Sequence, residues 1–203
     1  MNASGAQWIG IITIGWPAAR ALSIVSFVSQ TRAFSSLYLA AQYMSALVAD
    51  APDLMDALAR LPAEGRSVLE RHAGFLAQIA GGDWARVIFL GSGPYYGLAC
   101  EGMLKLKEMA LAWSEAYHFL EFRHGPISLV DERTLVVGLL SDRALEAERD
   151  VLAHVRKLGG RTLAIVERAE AGEGETYSIS LDSGLPEQAR GPLVLLPLQL
   201  FAY

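Results

Sequence analysis

RVIFLGSGPYYG, residues Arg86 to Gly97, is the stretch on which the fold turns. Its first five residues form a short apolar run of strand length. The run passes directly into Gly91-Ser92-Gly93, and a helical pattern from about Tyr95 to Leu111 follows. A strand feeding a glycine loop and then a helix is the opening unit of a parallel α/β sheet. The same alternation continues downstream. Ser114 to Phe119 is a more polar strand candidate, and Glu121 to Leu129 a short helix carrying His124-Gly125-Pro126. Thr134 to Leu140 (TLVVGLL) is apolar throughout, the mark of a strand buried on both faces. Arg143 to Leu158 is an amphipathic helix stopped by Gly159-Gly160. Thr162 to Val166 and Tyr177 to Leu181 complete about five strands, and Gly191 to Tyr203 begins a final helix. The expected fold is a three-layer αβα sandwich around a flavodoxin-like parallel sheet. Such sheets take ligands outside the carboxyl ends of their strands. That rule lines up Gly91 to Gly97, the residues after Phe119, and Ser141-Asp142.

Upstream the pattern is helical. Gln30 to Val48 carries Phe34, Leu37, Ala41, Met44 and Val48 at helical spacing. Ala51-Pro52-Asp53 breaks it. A second helix is expected from Leu54 to Leu61, ended by Pro62, and a third from Glu64 to Ala80, closed by Gly81-Gly82. Trp8 to Val28 is apolar and about as long as a membrane span. Pro17 and Arg20 in its middle, and the lack of a basic flank, favour a buried strand (Trp8 to Ile14) and a helix start instead.

Composition narrows the function. Of 203 residues 52% are hydrophobic and 19% charged, too apolar for a disordered chain. A net charge of -5 with no basic block argues against a nucleic-acid partner. The single cysteine, Cys100, excludes a disulfide scaffold and clustered Cys-x-x-Cys metal sites. With no signal sequence it fits a cytoplasmic protein, with neither a membrane nor a nucleic-acid partner.

Three groups of residues could carry chemistry. Glycines and a helix N-terminus make Gly91-Ser92-Gly93-Pro94-Tyr95-Tyr96-Gly97 a candidate anion site, with a tight strand-to-helix turn as the plain alternative. No Lys-Ser or Lys-Thr follows, so it is not a Walker loop. Glu101, Lys105 and Glu108 share one face of the next helix at spacings of four and three. An exposed pair of this kind contributes only about 0.3–0.5 kcal/mol. This helix is apolar nearly all round, however, so its charges belong at an interface or in a cleft. His124, before Gly125-Pro126, suits proton transfer near neutral pH or is a surface residue. His72, His118 and His154 lack such a context and read as structural.

The segment GSGPYYGLACEGMLKLKEMALAWSEAYHFLEFRHGPISLVDERTLVVGLLSD resembles the second sugar isomerase (SIS) domain of the isomerase half of glucosamine-6-phosphate synthase. It is closer still to stand-alone double-SIS amino-sugar-phosphate deaminases and isomerases. Leu98 to Glu108, His124 in Arg-His-Gly-Pro, and the closing PLQLFAY from Pro197 to Tyr203 carry the likeness, which extends over Val68 to Tyr203. Ser29-Gln30-Thr31-Arg32-Ala33-Phe34-Ser35 resembles a helix start near the end of a first SIS domain. The implied organisation is an atypical segment over 1–28, the helical tail of a preceding and largely missing SIS domain over 29–66, and an SIS domain over 67–203. The apolar, uncapped end at Tyr203 suggests a truncated C-terminus.

The resemblance implies a reaction. Glu108 would shuttle a proton between C1 and C2 of an open-chain hexose 6-phosphate or phosphorylated amino sugar, through a cis-enolamine. His124 would assist ring opening, reaching across a homodimer. Val28, Gly91, Ser92, Gly93, Glu101 and Lys105 would contact the substrate, and no metal or nucleotide cofactor is implied. The family's Ser/Thr-rich phosphate loop and C-terminal Schiff-base lysine fall outside this sequence, as does a glutamine-hydrolysing domain. Two other readings follow from the same residues. One is a sugar-phosphate-binding module without turnover. The other is an inactive fragment of a double-SIS enzyme. A transcription regulator would need a basic recognition helix, which the sequence does not offer.

Overall fold

The computed structural model describes residues 31–169 and 176–203. Val28, Ser29 and Gln30 lie outside the described residues, as does the apolar Trp8–Val28 run.

Two helices lead into the sheet: α1 (Thr31–Val48) and α2 (Pro52–Ala80). The α/β part comprises β1 (Arg86–Gly91), α3 (Pro94–Lys105), a π-helical turn (Leu106–Ala110), β2 (Ser114–Tyr117) and α4 (Phe119–Phe122). It continues with a 3-10 turn (Pro126–Leu129), β3 (Thr134–Leu139), α5 (Leu145–Lys157) and β4 (Arg161–Val166). β5 (Tyr177–Ser180), a 3-10 turn (Glu187–Ala189) and α6 (Gly191–Ala202) close it. The five strands are parallel and lie in the order β2-β1-β3-β4-β5. This is the flavodoxin-like order, whose winding reverses between β1 and β3.

Strand alternation divides the core into two layers. Val87 and Phe89 of β1, Leu135 and Val137 of β3, and Leu163 and Ile165 of β4 face α2, α3 and α6. Ile88, Leu90, Val136 and Ala164 face the other way, against Phe119, Phe122, Val151, Leu152 and Val155 of α4 and α5. Every residue of β3 is buried, as its continuous apolar run demands. The N-terminal helices complete the first layer, α2 lying along α6. Among the described residues no helix is long and apolar enough to cross a membrane.

Three local expectations are corrected. Pro62 does not end a helix: α2 runs through it. An interior proline costs about 3 kcal/mol. Burial of Leu58, Leu61, Gly65 and Val68 on one continuous stripe offsets that cost. The helix expected from Tyr95 to Leu111 is α-helical only to Lys105, then winds as a π turn, and Leu111 at φ 51 ends it. The helix expected from Glu121 to Leu129 is two pieces. Gly125 at φ 149 turns the chain, and Pro126, which has no N–H to donate, starts a 3-10 turn.

Candidate active site

Gly91 is the last residue of β1, and Ser92 and Gly93 lead into α3. Gly93 takes φ 53, which glycine adopts without strain. The turn is tight: the Tyr95 N–H donates to Ser92 O at 3.0 Å and the Tyr96 N–H to Gly93 O at 3.1 Å. Pro94 has no N–H. The amides that the sequence suggested for an anion are therefore engaged within the loop at Tyr95 and Tyr96. The Tyr96 ring stacks on His118, with centroids 3.9 Å apart, tying this loop to the segment that leads to His124. His72 bonds Ser180 O at 2.9 Å on the far edge of the sheet.

The acidic and basic residues of α3 come together. Glu101 and Lys105 are buried, with 6% and 3% of their surface exposed. Lys105 Nζ donates to Glu108 Oε2 at 2.7 Å. It lies 3.5 Å from Glu101 Oε1, an ion pair rather than a good hydrogen bond. Burial pushes the Glu101 carboxyl above its ordinary range, Lys105 pulling the other way without overcoming it. Glu108 stands on the π turn with its side chain a quarter exposed, so one carboxylate faces both a buried ammonium and the outside. π turns within helices occur frequently at functional sites. Chemically the arrangement presents a carboxylate that can accept and return a proton, beside a fixed positive charge.

His124 is exposed on the turn after α4. Among the described residues no hydrogen bond or ion pair joins it to Glu101, Lys105 or Glu108. Nor does any group of three or more His, Cys, Asp or Glu among them stand ready to hold a metal ion.

Residues 82–203 match the SIS domain family. The chain belongs to it. Glutamine–fructose-6-phosphate aminotransferase (isomerizing) of Brucella abortus biovar 1 is 30% identical over 199 residues, covering 94% of this chain and 32% of the relative. Among solved structures, the C-terminal domain of glucosamine-fructose-6-phosphate aminotransferase from Francisella tularensis aligns with a TM-score of 0.62 and 30% identity. That alignment covers 71% of this chain and 42% of the other. Glucosamine-6-phosphate deaminase from Thermotoga maritima aligns with a TM-score of 0.63 and 25% identity, covering 87% and 51%. This SIS chain spans between 20% and 32% of the length of the first curated relatives it matches. It is thus an SIS domain protein similar to the C-terminal domain of the Francisella aminotransferase and to the Thermotoga deaminase.

Sequence reasoning placed Ser141 and Asp142 along this sheet edge but passed over the residues that bind them there. Glu148 of α5, 1% exposed, accepts bonds from Ser141, and Arg190 forks onto the Asp142 carboxylate. A signal existed for Glu148. It precedes Val151, Leu152 and Val155 by three, four and seven residues, so it lies on the apolar face of α5.

Proposed function

We propose that this SIS protein acts on a phosphorylated amino sugar or hexose 6-phosphate by moving a proton between C1 and C2. The observation that carries the reading is the Lys105–Glu108 pair at 2.7 Å, seated over buried Glu101. The Glu108 carboxylate removes the proton from the carbon beside the carbonyl, and the carbonyl oxygen or imine nitrogen of the open chain takes up a proton. Glu108 then returns its proton to the former carbonyl carbon while the oxygen or nitrogen on the other carbon releases a proton as the new carbonyl or imine forms, so no net proton is gained. Lys105 holds Glu108 in place through its Nζ hydrogen bond to Oε2. His124 assists ring opening, and its exposure leaves the ring free to serve a second copy in a homodimer. Gly91, Ser92, Gly93, Glu101, Lys105 and Val28 contact the substrate.

We also infer that residues 29–66 belong to the tail of a preceding SIS domain and 67–203 to the second. The likeness to the Brucella relative supports this, since it extends over 199 residues and so beyond 82–203. A cytoplasmic location fits these soluble-substrate chemistries.

The test is titration with glucosamine 6-phosphate followed by a turnover assay. Saturable binding with turnover that Glu108→Gln abolishes, binding being kept, supports the reading. Binding without turnover in the unmodified chain replaces it with a binding module. No binding at all means that the pocket needs chain beyond this sequence.

A further inference from the structure

β2 lies at the edge of the sheet, hydrogen-bonded to β1 alone. α3 holds it at both ends. At its start the buried Ser114 hydroxyl donates to Met103 O at 2.9 Å. Just past its end the His118 ring stacks on Tyr96, with centroids 3.9 Å apart and planes 22° from parallel. Helix and strand run in opposite directions, so the first turn of α3 meets the end of β2. The spans agree: Tyr96 to Met103 is about 10.5 Å of helix, and Ser114 to His118 is about 13 Å of extended chain.

The stack is the clasp nearer the carboxyl ends of the strands, where sheets of this kind take ligands. Its two sides lead to different parts of the candidate site. Tyr96 stands in the first turn of α3, with its N–H bonded to Gly93 O at 3.1 Å. That helix carries Glu101 and Lys105 and runs into the turn that bears Glu108. On the other side His118 caps α4: its carbonyl accepts the Phe122 N–H at 3.0 Å. The Glu121 carbonyl then accepts the His124 N–H, also at 3.0 Å. Main-chain bonds thus fix the path from the stacked ring to His124. Both rings are half-buried and stand outside the two apolar layers of the core. Their contact therefore places segments more than it supports the fold.

We propose that His118 is a positioning residue: its ring, stacked on Tyr96, clasps the β2–α4 junction to the first turn of α3 and so sets where His124 stands relative to Lys105 and Glu108. Its effect on turnover rests on the roles given to Glu108 and His124. The clasp itself does not.

His118→Ala and His118→Phe separate the two. Alanine removes the stack. Phenylalanine keeps a flat ring on Tyr96 but has no nitrogen to carry a proton. Amide exchange at Phe122 and His124 is expected to quicken by about tenfold or more in His118→Ala and to stay near that of the unmodified chain in His118→Phe. With glucosamine 6-phosphate, kcat should fall by about tenfold or more in His118→Ala with KM changed less, because a small displacement of an oriented group costs rate steeply. His118→Phe should restore most of that loss. Unchanged exchange in His118→Ala overturns the clasp. Faster exchange with unchanged kcat overturns the positioning role. So does a loss of kcat in His118→Phe as deep as in His118→Ala, since the imidazole would then be moving a proton itself. If the unmodified chain shows no turnover, the isomerase reading fails, and exchange at Phe122 and His124 still decides the clasp.

Discussion

Lys105 Nζ meets Glu108 Oε2 at 2.7 Å across the junction where α3 gives way to a π turn. The lysine side chain is 4% exposed and that of its second partner, Glu101, 5%. A buried ammonium persists only where countercharges hold it. Lys105→Met would leave Glu101 with no partner and facing Glu108. The expected loss is about 3–5 kcal/mol of unfolding free energy, the range for breaking a buried pair. Adding Glu101→Gln should restore part of it. Urea denaturation of the single and double variants checks both; a loss of surface size, below about 1 kcal/mol, would show that the cluster is solvated.

The same cluster predicts a pH dependence. Burial raises the Glu101 carboxyl above its ordinary 4.5. The folded state therefore keeps this proton at pH values where the unfolded chain has released it. The group's contribution is fully present below about 4.5 and is lost as pH rises through the folded value. Glu148 is shifted in the same direction and adds to the slope. Asp131, held low by Arg86 and Thr134, acts oppositely: its contribution is present above 3.8 and is lost as pH falls through its folded value. Urea midpoints measured upward from pH 4.5 should decline less steeply in Glu101→Gln than in the unmodified protein. Parallel curves would remove Glu101 from the account.

The sheet was legible because its central strands are buried on two sides. A run such as Thr134 to Leu140 has no polar face, which only a central parallel strand requires. Glu101, Lys105 and Glu108 were legible as a group because helical spacing alone stacks them. Their burial was only hinted at, by the apolar residues around them. The π turn was not legible, since nothing local marks one extra residue in a helical turn. The path of the chain at His124 depends on Gly125 at φ 149, a conformation glycine permits but does not impose. Pro62 misled because its local cost is outweighed by packing against elements distant in sequence. Glu148 was passed over within an amphipathic helix, although its place on the face of Val151, Leu152 and Val155 gave it away.

Pro62 gives a third prediction. Its ring removes one backbone hydrogen bond from an otherwise continuous α2. Pro62→Ala restores a donor and a better helix former, against some added freedom in the unfolded chain. A gain of about 1–2 kcal/mol in unfolding free energy is expected, read by urea denaturation. A loss would mean that the ring itself packs against a neighbour.

Gly91 and Gly97 bracket the loop on which the site hangs, and alanine should separate their roles. At Gly97, within α3, an added Cβ meets nothing within 4 Å, and its backbone is not in the left-handed region. Gly97→Ala should therefore stabilise by about 0.5–1 kcal/mol, through lower entropy of the unfolded chain. At Gly91 the added Cβ falls 2.4 Å from Tyr95 O and 2.8 Å from Tyr96 N. Both are backbone atoms, so no side-chain rotation relieves the clash. The start of α3 must move away from β1, at a cost of about 1–3 kcal/mol. Gly91→Ala should thus lower both the melting temperature and any sugar-phosphate turnover, while Gly97→Ala raises the first and spares the second. Equal stability of the two variants would mean that the loop is looser than the contacts at Tyr95 and Tyr96 require.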